Sequence, residues 1–304
     1  MSPPRYDLLA VDLDGTLLDP NGRVSEASRD AVARAREAGL EIVICTGRAY
    51  SEAADAIHAI EAHLPAAGRR IAPVVTTGGA AVFDAATDRL LHVWRLDEAL
   101  VRGMCERFRE LNRAPLILKD RGATGYDYLV VKYGPLEYPS KWWFSNMPLE
   151  VRYIDHIDDD EYPEDSIRLG FAAGWAAMRE IVAPLIEEFG ERAFIQYFGA
   201  IGGTHEPDPD GPTDDKVQLL EVFHREVTKW RGIHALAYAQ GIPDERVAAI
   251  GDEINDLAMI RSAGLGIAMG NAVPEVKDAA DVETASHNHD GLAMAIDKIL
   301  SGEW

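Results

Sequence analysis

Short apolar runs alternate with amphipathic segments over residues 8–80 and again from residue 229 to the end of the chain. Apolar runs of this length are typical of strands buried on both faces of a parallel sheet, and the segments between them have helical spacing. Ser25 and Gly39 predict the two ends of the first helix, as an N-cap and a C-terminal stop. The predicted strands are 8–11, 40–45, 73–77, 247–250 and 265–268, and the predicted helices are 26–38, 50–63, 229–240, 255–263 and 291–300.

The order of these elements predicts an α/β fold with a parallel sheet and right-handed crossovers. The middle of the chain differs, because its strands alternate or are interrupted and its aromatic residues are dense. We interpret residues 83–222 as an α+β domain inserted into a discontinuous core domain, 1–82 and 223–304. The aromatic run Trp142, Trp143 and Phe144 is predicted to lie in the core of the insertion. Stacking on a ligand ring or contact with a second subunit are the alternatives.

Charge and cysteine content narrow the possible partners. The 304 residues include 51 acidic and 30 basic ones, for a net charge of −21, and no basic patch stands out. Nucleic acid and anionic membranes would repel such a chain, whereas surplus carboxylates suit a hard cation such as Mg²⁺. With two cysteines, Cys45 and Cys105, a reducing compartment is a simpler interpretation than a single disulfide. The sequence shows no signal pattern and no apolar run of the ~18 residues that a membrane-spanning helix needs, so it predicts a cytoplasmic protein. Monomer and homodimer both stay open.

The first candidate motif is Asp12-Leu13-Asp14-Gly15-Thr16, directly after the first predicted strand. Ligands of open parallel sheets bind beyond the carboxyl ends of the strands. Two carboxylates at this spacing would repel each other unless a cation or a proton lay between them. With a metal bound, Asp12 could attack phosphorus, and Asp14 could exchange a proton with the leaving oxygen. The alternative is a turn with Gly15 at positive φ.

Three further segments follow or flank predicted strands. In Thr46-Gly47-Arg48, a hydroxyl and free backbone amides suit a phosphate oxygen. Lys229 would offer phosphate a point charge, although a lone lysine is normally a solvated surface residue. The run Gly251–Asp256 contains three acids and an amide, which suit a hard cation, although acids also favour a helix N-terminus. Since all these segments belong to one parallel sheet, their functional ends are expected to converge on one edge.

Taken together, these four motifs resemble the haloacid dehalogenase superfamily, in its Cof-type branch of phosphatases. The matching residues, in the family's order, are Asp12–Thr16, Thr46–Arg48, Lys229 and Gly251–Asp256. The insertion resembles the α/β cap of that branch, although the cap matches less closely than the core. The resemblance therefore implies a Rossmann-like core with an inserted cap, and a magnesium-dependent phosphoric monoester hydrolase.

The resemblance also implies a role for each matching position. Asp12 would be the nucleophile that forms an aspartyl-phosphate, and Asp14 would be the general acid and then the general base. Mg²⁺ would be bound by the Asp12 carboxylate, the Asp14 carbonyl and Asp252, while Asp256 and Asn255 would support the metal and the lysine from behind. The residues implied to bind the phosphoryl group are Thr46, Gly47, Lys229 and Asn255.

The second acid helps to select the reaction. In the superfamily, the dehalogenases lack an acid at the position of Asp14, and the transport ATPases carry Thr at that position. A phosphoester hydrolase, in contrast, needs an acid to protonate its alkoxide leaving group. Asp14 therefore favours a phosphatase of a small phosphorylated metabolite, with sugar phosphates first and phosphorylated cofactors such as flavin mononucleotide or pyridoxal phosphate next. A phosphotransferase or phosphomutase, and a non-catalytic binder of phosphorylated ligands, are the alternatives.

Two positions depart from the family pattern, and two polar runs invite other interpretations. Thr77-Gly78-Gly79-Ala80 stands where Asn-Gly-Ala is usual, and Trp230 follows the lysine where Gly is frequent.

His287 and His289 are interpreted as part of a polar loop, with Asp290 as the cap of the helix that follows, rather than as metal ligands. Asp158–Glu161 is interpreted as a solvated loop rather than a calcium site.

Overall fold

The computed structural model describes residues 4–19, 21–61, 73–85, 87, 89–199 and 217–304. The strands are β1 (Leu8–Asp12), β2 (Glu41–Cys45), β3 (Val74–Thr76), β4 (Ala81–Asp84), β5 (Arg89–Val93), β6 (Leu116–Lys119), β7 (Tyr128–Val131), β8 (Val151–Ile154), β9 (Ser166–Ala173), β10 (Ala193–Gly199), β11 (Gln218–His224), β12 (Val247–Gly251), β13 (Leu265–Ala268) and β14 (Val282–Glu283). The helices are α1 (Glu26–Glu37), α2 (Tyr50–Glu61), α3 (Glu98–Glu110), α4 (Arg121–Thr124), α5 (Tyr138–Asn146), α6 (Trp175–Phe189), α7 (Lys229–Ala239), α8 (Leu257–Ser262), α9 (Pro274–Ala279) and α10 (Gly291–Ser301).

The chain divides into two compact units. One comprises Met1–His92 and Thr228–Trp304, and the other comprises Val93–Val227. The second unit is therefore inserted in the sequence between the two segments of the first. Of the helices described, none combines the length and the apolarity that crossing a membrane requires.

The first unit is built on an eight-stranded sheet in the order β14-β13-β12-β1-β2-β3-β4-β5. Neighbouring strands from β14 to β3 are parallel, and β4 pairs antiparallel with β3. All residues of β1 and β12 are buried, which explains why their sequences are nearly continuous apolar runs. The mixed α/β fold with a parallel-rich sheet is confirmed, and the carboxyl ends of β1, β2, β3 and β12 lie at one edge.

The second unit is built on a six-stranded sheet in the order β10-β11-β9-β6-β7-β8. Its pairings are antiparallel except for the β7–β8 pair. Helices α3 and α6 pack together over this sheet, and their side chains form its core with those of the strands. Phe108 of α3 and Phe171 of β9, whose ring centroids are 5.5 Å apart, both belong to this core.

The ends of α1 are confirmed, but the predicted cap of α10 is wrong. The Ser25 hydroxyl accepts the Ser28 N–H, and Gly39 follows the helix with a φ of +89°. Asp290 precedes α10 in a left-handed conformation with a φ of 54°, and its side chain accepts no hydrogen bond from the helix. Its carboxylate instead accepts the Ser25 hydroxyl at 2.8 Å. The last two residues of the predicted helix 50–63 lie outside the described residues.

The aromatic run of α5 does not belong to the core of the second unit, so that prediction is wrong. Trp142, Trp143 and Phe144 are each half-buried, and Ser140 is the buried residue of this helix. Three consecutive large side chains point to different sides of a helix, so one buried stripe cannot take all of them. Phe144 packs against Tyr128, with ring centroids 5.4 Å apart.

The interpretation of Asp158–Glu161 as a solvated loop is wrong for one residue. Asp160 is buried, and its Oδ2 lies 2.6 Å from Nζ of Lys119, whose side chain is 0% exposed. The same ammonium donates to the Tyr162 carbonyl at 2.8 Å and to the Ser166 hydroxyl at 2.9 Å. The run therefore contains the partner of a buried lysine, which a count of charges along the sequence cannot show.

Candidate active site

Asp12 and Lys229 form a buried ion pair at the carboxyl end of β1. Asp12 is the last residue of that strand and 5% exposed, and Lys229 is 1% exposed. The Lys229 ammonium lies 2.6 Å from Asp12 Oδ1. Thr228 positions the lysine at the start of α7, because its hydroxyl caps the helix by accepting the Arg231 N–H. The alternative of a solvated surface lysine is therefore excluded for Lys229.

Asp256 connects this lysine to the loop after β12. Its Oδ1 lies 2.6 Å from the Lys229 ammonium. Its Oδ2 accepts the backbone N–H groups of Asp252 at 2.9 Å and of Glu253 at 3.0 Å. Both carboxylate oxygens of Asp256 thus have partners within the protein, so its geometry suits the orientation of Lys229 and of the acidic loop.

The Asp252 carboxylate lies against the loop that follows β1. Its Oδ1 accepts the Thr16 hydroxyl at 3.2 Å, and its Oδ2 accepts Nδ2 of Asn271 at 3.0 Å. Gly15 has a φ of +81°, and a Cβ there would collide with Asp252, so the turn requires glycine for two reasons. Asn271 was missed in the sequence analysis, since it stands in a loop after β13 outside the four motifs.

Three carboxylates and one ammonium make this site electrostatically unusual. Side-chain oxygens of Asp12, Asp252 and Asp256 lie within 4.8 Å of one another. Burial, together with Asp256, raises the pKa of Asp12 well above its usual value despite Lys229, and raises the pKa of Asp252 to about 7. Burial alone would lower the pKa of Lys229, but Asp12 and Asp256 outweigh it and raise that pKa, so the lysine stays protonated.

The donor set fits a hard divalent cation. With all groups ionised, the three carboxylates and Lys229 leave a surplus of two negative charges, which a cation such as Mg²⁺ would offset. Asp12 and Asp252 present carboxylate oxygens of the kind that Mg²⁺ prefers. Asp256 belongs to the same cluster, but it has the most hydrogen bonds of the three carboxylates: the Lys229 ammonium contacts its Oδ1, and two backbone N–H groups donate to its Oδ2. Asp12 and Asp252 are thus the side chains that could hold the metal.

Thr46 and Gly47 follow β2, and Asn255 lies in the segment between β12 and α8. Thr46 is 1% exposed, and its hydroxyl accepts the Arg48 N–H at 3.1 Å. A Cβ on Gly47 would lie 3.6 Å from Nδ2 of Asn255, so these two residues are neighbours. The Asn255 side-chain oxygen is buried and has no hydrogen-bond partner among the described residues. The structure thus brings together two of the segments predicted to bind phosphate.

The Asp14 carboxylate is held by Arg48. Arg48 Nε donates to Asp14 Oδ2 at 2.9 Å, and its Nη2 contacts the other carboxylate oxygen. The two side chains are 37% and 35% exposed, so this pair is open to solvent, unlike the Asp12 pair. The sequence motif alone predicted no separate role for Arg48.

The loop that departs from the family pattern supports both Thr46 and Lys229. Thr77, Gly78 and Gly79 all have positive φ, at 54°, 64° and 102°. Asn and Gly both tolerate this region, which explains how Gly78 can stand where the family has Asn. The Gly78 N–H donates to the Thr46 carbonyl at 3.0 Å. A Cβ on Gly79 would collide with the Thr228 carbonyl, immediately before the lysine.

The fold and the site define an α/β protein with a cluster of buried carboxylates at the carboxyl ends of the strands of a parallel sheet. The family model for haloacid dehalogenase-like hydrolases matches residues 9–296, so the chain belongs to this family, in its Cof-type branch. It is a phosphoric monoester hydrolase.

Known proteins resemble this chain over nearly its whole length. The 5-amino-6-(5-phospho-D-ribitylamino)uracil phosphatase YwtE of Bacillus subtilis is 25% identical, over 97% of this chain and 99% of that protein. The pyridoxal phosphate phosphatase YbhA of Escherichia coli is 26% identical, over 95% and 97%. The crystal structure of a haloacid dehalogenase-like hydrolase from Bacteroides thetaiotaomicron has a TM-score of 0.73 at 24% identity, covering 97% of this chain and 99% of that one. The last comparison shows a shared fold.

Proposed function

We propose that this enzyme hydrolyses small phosphorylated metabolites with Mg²⁺, through an aspartyl-phosphate on Asp12. The observation that carries the proposal is the buried contact between the Asp12 carboxylate and the Lys229 ammonium at the end of β1. A fixed ammonium at this point offsets the negative charge of a phosphoryl group as it reaches the carboxylate.

The reaction has two steps. In the first, an Asp12 oxygen forms a bond to phosphorus, the bond from phosphorus to the ester oxygen breaks, and Asp14 gives its proton to the departing alkoxide. In the second, Asp14 takes a proton from water, the water oxygen attacks the aspartyl-phosphate, and phosphate leaves with Asp12 restored. Thr46, Gly47, Asn255 and Lys229 hold the phosphoryl oxygens. For either proton transfer, one Asp14 oxygen must release Arg48, while the other can keep its contact with the guanidinium, which contacts both oxygens in the structure.

The residues that would hold Mg²⁺ are the carboxylates of Asp12 and Asp252 and the backbone carbonyl of Asp14. When bound, the metal supplies a positive charge that polarises a phosphoryl oxygen. Asp256 has a different task in this scheme, since it keeps Lys229 protonated and aimed at Asp12.

A sugar phosphate is the substrate class that we favour. The names of two relatives assign them a phosphoribityl compound and pyridoxal phosphate. Because the relatives' substrates differ, we assign substrate selection in this enzyme to the inserted unit, Val93–Val227. The free, buried thiols of Cys45 and Cys105 support a reducing compartment, which we take to be the cytoplasm.

The test is phosphate release from a broad panel of phosphorylated metabolites and an aryl phosphate, with Mg²⁺ or with EDTA. Asp12→Asn is compared with wild type and with Asp30→Asn, which changes an exposed aspartate of α1. We expect magnesium-dependent release that Asp12→Asn abolishes and Asp30→Asn retains. Isomer or transfer products without free phosphate would instead indicate a phosphomutase or phosphotransferase. A folded protein that binds these compounds but cleaves none, the aryl phosphate included, would be a binding protein.

A further inference from the structure

One asparagine outside the four motifs connects the two loops that carry the acidic cluster. Asn271 lies between β13 and α9, and its Nδ2 donates to the Gly15 carbonyl at 2.9 Å and to Asp252 Oδ2 at 3.0 Å. Its Oδ1 accepts the His287 backbone N–H at 2.9 Å. Both N–H donors of the side chain and its oxygen therefore have partners, which fixes the orientation of the amide.

This bridge sets the distance between the turn after β1 and the Asp252 carboxylate. Gly15 is three residues beyond Asp12, and that turn is closed by Leu17, whose N–H donates to the carbonyls of Asp12 at 3.3 Å and Leu13 at 3.2 Å. A side chain that holds the Gly15 carbonyl and Asp252 together thus limits how far Asp12 and Asp252 can move apart. Mutual repulsion of the two carboxylates would favour such movement.

The loop that carries Asn271 has other hydrogen bonds to hold it. Backbone N–H groups of Met269, Gly270 and Val273 donate to the carbonyls of Gly251, Ala285 and Asp252 at 3.0, 3.1 and 2.9 Å. Lys277 Nζ donates to the Gly270 carbonyl at 2.7 Å. Removal of the Asn271 side chain is therefore expected to leave the path of the loop in place and to free the Asp252 carboxylate.

We infer that Asn271 is the positioning residue of the cation site, holding Asp252 and the Gly15 turn at the separation at which Asp12 and Asp252 bind one Mg²⁺. This inference rests on the proposed magnesium dependence. Partners that orient a metal-ligating carboxylate typically change metal affinity ~10- to 100-fold when removed. Thr16, which donates to the other oxygen of Asp252, is expected to act on the same carboxylate.

The test measures binding of Mn²⁺ by electron paramagnetic resonance and of Mg²⁺ by calorimetry, with no substrate present. The variants are Asn271→Ala, Asn271→Ser and the control Asn288→Ala, which changes an exposed asparagine close in sequence to His287. We expect both Asn271 variants to raise the Mn²⁺ Kd ~10- to 100-fold, and Asn288→Ala to leave it within about 2-fold. Thermal unfolding in EDTA checks that the metal-free variants are folded.

A double-mutant cycle with Thr16→Val separates positioning from general loosening. If both residues orient Asp252, their effects on the Mn²⁺ Kd will not add. Unchanged affinity in a folded Asn271→Ala or Asn271→Ser protein would overturn the inference and leave the proposed function standing. A wild-type protein that binds neither Mn²⁺ nor Mg²⁺ would overturn the proposed magnesium dependence and the inference with it.

Discussion

The Arg48 guanidinium contacts both carboxylate oxygens of Asp14, the residue proposed to protonate the leaving group. We expect Arg48→Ala to slow the hydrolysis of alkyl phosphates about 10-fold or more, because Asp14 loses the partner that positions it. Dinitrophenyl phosphate, whose leaving group needs no proton, should lose less than about 3-fold. The measurement is kcat/KM, which reports the first step alone, for a series of esters ordered by leaving-group pKa.

The control for this prediction is Arg34→Ala. It removes an exposed ion pair with Asp297 in the same unit, at 2.6 Å. Exposed pairs contribute little to stability, so this variant should follow wild type for every ester. An equal loss for alkyl and dinitrophenyl phosphates in Arg48→Ala would mean that the arginine binds the phosphoryl group and does not position the acid.

Asp256 should be needed for stability as well as for activity. Asp256→Ala leaves the N–H groups of Asp252 and Glu253 without an acceptor and removes one partner of the buried Lys229. Relief of repulsion with Asp12 offsets part of this loss, so we expect about 2 kcal/mol off the free energy of unfolding. Urea unfolding in EDTA measures it, with Asp278→Ala on the exposed face of α9 as the control. A variant as stable as the control would contradict this role.

The sequence predicted the sheet well, because its strands are buried on both faces and therefore read as apolar runs. β13 has the predicted bounds, Leu265–Ala268, and β1 is one residue longer than predicted. The convergence of Asp12 and the acidic loop follows from the same pattern, since each follows a strand of one sheet. Lys229 begins α7, and the strand before it, β11, belongs to the sheet of the second unit, so the strand pattern alone does not place this lysine. The catalytic roles of these residues stay predictions.

Features that depend on the path of a loop could not be predicted. Arg48 reaches Asp14 because two separate turns meet, and Asn271 reaches Gly15 across 256 positions of sequence. Neither contact has a periodic or spacing signal. The burial of Asp160 could not be predicted for a similar reason, because its partner Lys119 lies 41 positions away, at the end of β6.

Thr77 should tolerate glycine better than its neighbour does. A β-branched residue with a φ of 54° is strained, whereas Thr76 has an extended φ of −122°. Because glycine relieves about 1–2 kcal/mol of left-handed strain, Thr77→Gly should destabilise the protein by that much less than Thr76→Gly. Both threonines are almost fully buried, which makes them a matched pair for chemical denaturation. Equal losses in the two variants would show that the Thr77 backbone stores no strain.

The buried Lys119–Asp160 pair predicts a pH-dependent defect in the second unit. Burial lowers the pKa of Lys119 from its ordinary 10.5, while Asp160, Asp165 and Cys105 oppose that shift. Asp160→Asn leaves the Lys119 ammonium buried without a carboxylate partner at this position, and it should lower the free energy of unfolding by about 3–5 kcal/mol at pH 7. The pKa of Lys119 in the folded variant then falls further below 10.5. Between that lower pKa and 10.5 the unfolded chain binds more protons than the folded variant does, so the free energy of unfolding of the variant rises with pH there. The deficit in the free energy of unfolding relative to wild type should therefore shrink between pH 7 and pH 10, as urea unfolding would measure.

The control is a Lys119→Met background, in which Asp160→Asn leaves no ammonium without a partner. There the substitution should lower the free energy of unfolding only slightly and to the same extent at every pH. A deficit that is constant across this range in both backgrounds would show that Asp160 acts through packing and not through the charge of Lys119.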